Sequence, residues 1–224
     1  MQINQIQDAP KNHAKVTTND NIIPLKSSDF TIASEILAKA FTQDPLISEL
    51  LPEDTTKKHK ALKHLSGAFL RIAMNYDHVY TTVNEVKGVA MWLPPEAFKF
   101  SLSQLWQVLT SGLLIAPFYL RWNRIKDFIS FLVMDMKFHE QFCPEPHLYL
   151  GMIGVSPTFQ GEGIGRKLLE PVLKKADRTN MPCYLETTTT GAVRFYERLG
   201  FEVVHQDTFL DHQYWLMKRY PQNG

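Results

Sequence analysis

From Gln160 to Arg166 the chain reads Gln-Gly-Glu-Gly-Ile-Gly-Arg, three alternating glycines followed by Leu168, Leu169, Val172, Leu173 and Ala176. Apolar residues recurring every three to four positions predict an amphipathic helix. Ahead of the glycines, Leu148 to Val155 is an apolar run ended by Pro157, which cannot donate to a ladder and steers Ser156 away from helical backbone. A strand therefore feeds a glycine turn that opens a helix. The first amides of a helix lack intrahelical acceptors and sit at the positive end of its dipole. Glycines let an anion, typically a phosphate, approach those amides closely. A plain tight connection is the alternative, but three alternating glycines exceed what a connection needs.

Two familiar phosphate patterns fail. G-x-G-x-x-G started from Gly161 requires glycine at Arg166, and started from Gly163 requires it at Leu168; the P-loop pattern needs a Gly-Lys pair, which the chain lacks. What remains is Gln-x-x-Gly-x-Gly (Gln160, Gly163, Gly165) after a Val-x-Pro strand end. Downstream stand Pro182-Cys-Tyr-Leu-Glu-Thr and then Arg194-Phe-Tyr-Glu-Arg-Leu-Gly-Phe-Glu-Val-Val204. Over His147 to Val204 this order resembles the GCN5-related N-acetyltransferase (GNAT) superfamily. The mixture of Leu-Leu-Glu-Pro-Val-Leu with Tyr-Leu-Glu-Thr is similar to the branch containing puromycin N-acetyltransferase. The N-terminal half matches only loosely.

The resemblance implies direct transfer of an acetyl group from acetyl-CoA, as co-substrate, to a primary amine of a small molecule in a ternary complex, with no metal. It assigns the pantetheine arm to the backbone of Ile153, Gly154 and Val155. The pyrophosphate falls to Gln160, Gly161, Glu162, Gly163, Ile164, Gly165 and Arg166. Tyr196 falls at the position of the tyrosine that serves the departing thiolate, and the N–H of Val155 at that of the oxyanion donor. An amine with a pKa near ~10.4 is mostly protonated at neutral pH, so a base or a water chain helps, and a thiol near ~8.5 leaves more readily when a phenol serves it. Glu186, ending an otherwise apolar strand, is the candidate base, with a purely structural carboxylate as the alternative. His147 and Asp44 are further candidates on the substrate side, Asp44 for holding a cationic acceptor. One departure stands out: relatives often place asparagine where this chain has Ala192, with Thr190 as a possible replacement.

The elements needed to position these groups follow along the chain. Residues 1–19 read as a flexible tail and 20–224 as a single domain. Ile22 to Leu25 reads as a strand, and Ser28 or Asp29 as the cap of a helix carrying Ile32, Ile36 and Ala40. Asp44-Pro45 breaks it, a short helix follows, and Asp54 caps a longer one burying Leu62, Leu65, Phe69 and Ile72. His78 to Val83 and Val86 to Leu93 form a hairpin across Asn84-Glu85. A helical insertion at about 100–143 carries two apolar stripes: Leu102, Leu105, Trp106, Leu109 and Leu113, then Ile125, Phe128, Ile129, Leu132 and Met136. Stripes at this spacing read as core, and part of the insertion as the wall of a substrate pocket. Beyond the glycine turn come a helix bent at Pro171, a strand Cys183 to Thr187, a helix from about Val193 to Leu199 ended by Gly200, and strands Phe201 to His205 and Gln213 to Lys218. The sum is a mixed α/β fold, a mostly antiparallel sheet of six or seven strands flanked by helices.

At 224 residues, 44% hydrophobic and with net charge +1, the chain suits a folded globular domain and offers no electrostatic case for nucleic acid. Its longest apolar run, Gly112 to Leu120, is far short of the ~20 residues that span a membrane. Two cysteines and no apolar leader after Met1 suggest a cytoplasmic protein with reduced thiols, and the sequence leaves monomer and homodimer both open. A metal at His139, Cys143 and His147 is disfavoured, because Pro144 and Pro146 prevent one helix from aligning them. The competing readings are a non-catalytic acyl-CoA sensor of the same fold and, further off, a nucleotide-binding enzyme.

Overall fold

The computed structural model describes residues 22–98 and 102–222, apart from the side chains of 102–105, 108, 114 and 116. The tail expected at 1–19 lies outside them. Among the described residues seven strands form one sheet: β1 (Ile22–Pro24), β2 (Val79–Thr82), β3 (Gly88–Leu93), β4 (Leu148–Val155), β5 (Cys183–Thr187), β6 (Glu202–Phe209) and β7 (His212–Arg219). Their order is β1-β2-β3-β4-β5-β7-β6, antiparallel throughout except for β4 beside β5. The helices are α1 (Phe30–Ala40), α2 (Pro45–Leu50), α3 (Thr55–Met74), α4 (Leu102–Ser111), α5 (Ile125–Phe142), α6 (Ile164–Arg178) and α7 (Thr190–Glu197).

The period-two pattern of the strands divides the core. Leu148, Leu150, Ile153 and Val155 of β4 and Cys183 and Leu185 of β5 pack with α6 and α7 on one face. On the other face Met152 and Val89 pack with α1 and α3, while Tyr149, Tyr184, Tyr214 and Leu216 pack with Phe131 of α5. Gly154 is needed for close approach, since a Cβ there would lie 2.8 Å from the Cβ of Ala40 and force α1 off the sheet.

Most boundaries follow the sequence. Asp54 caps α3 by accepting the N–H of Lys57 at 2.8 Å, β4 and β5 have the expected limits, and Gly200 ends the α7 segment at φ 85°. α7 begins earlier than expected, at Thr190, because Thr189 caps it through the N–H of Ala192 at 3.3 Å. Asp29 stands at the start of α1 without a side-chain cap bond, and α6 continues through Pro171.

The insertion departs most. Trp106 and Met136, expected in the core, are 67% and 64% exposed, and Leu109, Ile129 and Leu132 are exposed as well; the side chains of Leu102 and Leu105 lie outside the description. α5 keeps Ile125 and Phe128 of the expected stripe against the core, and otherwise turns Phe131 inward, with Met134, Phe138 and Phe142 packed beside it. A helix with apolar residues on two sides does not announce which of them docks, and the sheet selected the aromatic one. No helix among the described residues is long and apolar enough to cross a membrane.

Candidate active site

The glycine turn has the form its spacing implied. Pro157–Phe159 make a single 3-10 turn, and α6 starts at Ile164 with Gly163 as N-cap. Gly161 and Gly163 have φ 83° and 76°, and a Cβ on either would meet nothing within 4 Å. Backbone conformation, not crowding, therefore demands glycine, and the space above the first amides of α6 is open. A concavity of about 220 Å³ lies there, lined by the turn together with Val155, Phe195 and Arg198. Glu162 is exposed and anionic and the side chain of Ile164 is buried, so towards an anion both offer only backbone. Arg166 is 62% exposed and ion-paired with Glu170 at 3.5 Å. Arg198, which the sequence reading passed over, lines the same concavity from the other side. Its signal was present in Phe-Tyr-Glu-Arg, two residues beyond Tyr196.

From this concavity β4 leads inward along a parted edge. β4 and β5 pair only at Leu148↔Cys183 and Tyr149↔Tyr184, although both strands continue and stay paired on their outer sides. A bulge accompanies the parting: Met91 opposes Met152 and Trp92 opposes Leu150, which leaves Gly151 as the extra residue. Ser156 donates its N–H to the Lys87 carbonyl at 2.8 Å. Alternation along an antiparallel pair directs the amides of Gly154 and Met152 toward β3 as well, and those of Ile153 and Val155 toward β5. Of the three β4 residues singled out in the sequence, two thus present backbone groups to the parted edge, while Gly154 presents its own to β3. The side-chain amide of Gln160 donates to the Val155 carbonyl at 3.4 Å and ties the turn to the strand.

Tyr196 and Glu186 lie on opposite faces of the sheet beside this parting. Tyr196 is fully buried on the α6/α7 side, its ring 5.3 Å from Phe195 and 5.5 Å from Phe201. On the same side the hydroxyl of Thr187 is buried with no hydrogen-bond partner among the described residues, an arrangement that calls for explanation. Ala192, also buried there, packs into the core.

Glu186 faces the opposite side and is completely rather than partly buried. It accepts a hydrogen bond from the Tyr149 hydroxyl at 2.7 Å. Around it stand Tyr184, Tyr214, His139, His147 and Asp135, the last accepting a short hydrogen bond from Tyr214. Burial, followed by the charge of Glu186, pushes the Asp135 carboxyl up from its usual 3.8 to about 7. Burial first, then the same carboxylates, holds Tyr149 and Tyr214 well above the ordinary phenol range. Burial pulls His139 down to about 4 and His147 below its usual value, so both rings are neutral at pH 7.

The two histidines meet despite the prolines between them, Nε2 to Nε2 at 2.5 Å. Nδ1 of His147 lies 2.7 Å from the Glu145 carbonyl, which only accepts, so that nitrogen carries the proton and His139 donates between the rings. No group of three His, Cys, Asp or Glu able to hold a metal occurs among the described residues.

Asp135 escaped the sequence reading. Its signal was an acid at i+4 from Phe131 and i−3 from Phe138, inside the aromatic face of α5. The sign of its effect on stability follows from its raised pKa. Between pH 5 and 7 the folded carboxyl keeps a proton that the unfolded one has lost, two units at about 1.36 kcal/mol each. Its stabilising contribution is present below pH 4 and is lost as pH rises through 7. Relative to wild type, Asp135→Asn should therefore gain about 3 kcal/mol of stability between pH 5 and pH 8, read as a pH-dependent gap in melting temperature.

Asp44 occupies both its oxygens within the protein. One accepts the N–H of Ile47 at 2.7 Å and caps α2; the other accepts the hydroxyl of Thr188 at 2.6 Å and ties α2 to the end of β5. Losing a cap and a buried hydrogen bond together, Asp44→Ala should cost about 2–4 kcal/mol of stability by denaturant titration.

Comparison with known proteins agrees with this fold. The chain is 29% identical, over 194 residues, to an uncharacterized N-acetyltransferase of Schizosaccharomyces pombe, covering 83% of this chain and 75% of that protein. Many solved structures share its fold, two of which illustrate it. One is the histone acetyltransferase HPA2 and related acetyltransferase from Corynebacterium glutamicum (22% identity, TM-score 0.60, 92% of this chain and 99% of that one). The other is the Drosophila melanogaster polyamine N-acetyltransferase (14% identity, TM-score 0.56, 89% and 98%). The profile of the acetyltransferase (GNAT) family matches residues 90–201, from within β3 to the start of β6, and so takes in the parted strands, the glycine turn and α7. With half its length matched by that profile, the chain belongs to the acetyltransferase (GNAT) family.

Proposed function

We propose that the protein transfers an acetyl group from acetyl-CoA to a primary amine of a small molecule, directly, in a ternary complex. The observation that carries this reading is the parted edge of β4, which runs from the anion-suited turn to a point flanked by Tyr196 on one face and Glu186 on the other. The residues present suit such a co-substrate. The α6 amides, with Arg166 and Arg198 beside them, take the pyrophosphate. The β4 groups facing the parting and the unpartnered Thr187 hydroxyl take the amide-rich arm. The N–H of Val155 faces the oxygen on which charge develops.

Glu186, on the α5 side, accepts the proton of the incoming amine. The amine nitrogen bonds to the acetyl carbon, the carbon–sulfur bond breaks, and Tyr196 supplies a proton to the leaving sulfur. An amine acceptor accords with the polyamine N-acetyltransferase of similar fold, whose title names the formation of N-acetylagmatine. The two cysteines, free and buried, accord with a reducing, cytoplasmic setting.

The test is free thiol release from acetyl-CoA across a panel of monoamines, diamines, amino acids and aminonucleosides. Acetylated product supports the reading; acetyl-CoA binding without thiol release for any amine supports a sensor of the same fold instead.

A further inference from the structure

We infer that Asp135, delivered by the insertion helix α5, is a positioning residue for Glu186: the two carboxylates share one desolvated cage, and the charge on Asp135 acts on the transfer of the acceptor amine's proton into that cage. This rests on the reading of Glu186 as the base. The geometry is that of a sheet face with a lid. β4 contributes Tyr149, β5 contributes Tyr184 and Glu186, and β7 contributes Tyr214. Glu186 lies opposite Leu216, which makes Tyr214, two residues away on the same face, its diagonal neighbour. α5 closes the cage with Phe131, Asp135 and His139. Tyr149 donates to Glu186 and Tyr214 to Asp135, so each carboxylate is held by a phenol.

The remaining titratable groups facing α5 leave this pairing in place. His139 and His147 are neutral and bonded to each other. His205 of β6 packs against Phe138 and Phe142, beyond Asp135 along α5. Lys218 of β7 is engaged by Glu145, and Glu49 of α2 by Arg124 at the start of α5.

An amide at position 135 would accept the same hydrogen bond from Tyr214, so the hydrogen bond alone does not require an acid there. What aspartate adds is charge. Two carboxylates in one low-dielectric cage resist simultaneous ionisation. When Asp135 is ionised, a second negative charge stands in the cage and attracts the proton that the acceptor amine gives up; when Asp135 is protonated, that attraction is absent. The insertion, which carries the acid, thereby regulates the chemical step without touching the substrate.

The decisive measurement is the ratio of kcat/KM for wild type to that for Asp135→Asn across pH 5.5–9, in which the acceptor's own ionisation cancels. The ratio should rise about tenfold through neutral pH, Asp135→Glu should restore the wild-type profile, and Tyr214→Phe, which removes a donor to ionised Asp135, should move the rise to higher pH. A ratio independent of pH overturns the inference, since a purely structural loss lowers activity equally at every pH. If no amine is acetylated, it is the reading of the reaction that has failed, and carboxyl ¹³C NMR titration of the full chain still decides the cage. A resonance titrating near neutrality that Asp135→Asn removes supports it; only ordinary acid-range carboxyl titrations refute it.

Discussion

Tyr196→Phe should lower turnover by about 10²-fold while changing acetyl-CoA affinity by no more than about twofold. The substitution deletes one hydroxyl from a ring that is fully buried against Phe195 and Phe201, so the apolar contacts of the core survive. A thiol leaves far more readily when it takes a proton as its bond to carbon breaks, and that is the service withdrawn. Steady-state thiol release paired with a binding titration separates the two quantities. An unchanged rate would remove Tyr196 from the mechanism. A parallel loss of affinity and turnover would make the hydroxyl a binding group. A thermal melt guards against unfolding, since Tyr→Phe in a well-packed site shifts stability by only about 1 kcal/mol.

Gly163→Val should weaken acetyl-CoA binding by at least about 10²-fold, close to 3 kcal/mol. Two effects add. At φ 76° a β-branched residue is strained by about 1–2 kcal/mol, which the N-terminus of α6 relieves only by moving. In addition, the new side chain projects into the open space over the amides that would receive the pyrophosphate. Arg166→Ala is the control, because Arg166 is exposed and already paired with Glu170. It should cost no more than a few-fold, in keeping with a surface charge. Retained affinity in Gly163→Val would contradict the assignment of the turn.

Much of the molecule was legible before any coordinates. The limits of β4 and β5, the start of α6, the capping duties of Asp54 and the role of Gly200 all rest on interactions within a few residues of one another, and residue type and spacing encode such interactions directly. The motif between His147 and Val204 carried the family as well, and the profile match agrees with it.

The acceptor side was much less legible. Which face of α5 docks depended on the shape of a sheet surface assembled from β4, β5 and β7. Asp135 therefore went unnoticed, and Met136 was assigned to a core it does not enter, as was Trp106 of α4. The meeting of His139 with His147 depended on a loop between them whose path spacing alone does not predict. Asp44, read as a hold for a cation, also accepts a hydrogen bond from Thr188, 144 residues away, a partner that the sequence did not disclose. Local order is written in neighbours along the chain, whereas a cage closed by three strands and a helix exists only after distant segments have packed. Charge, proton affinity and accessibility are properties of that packing.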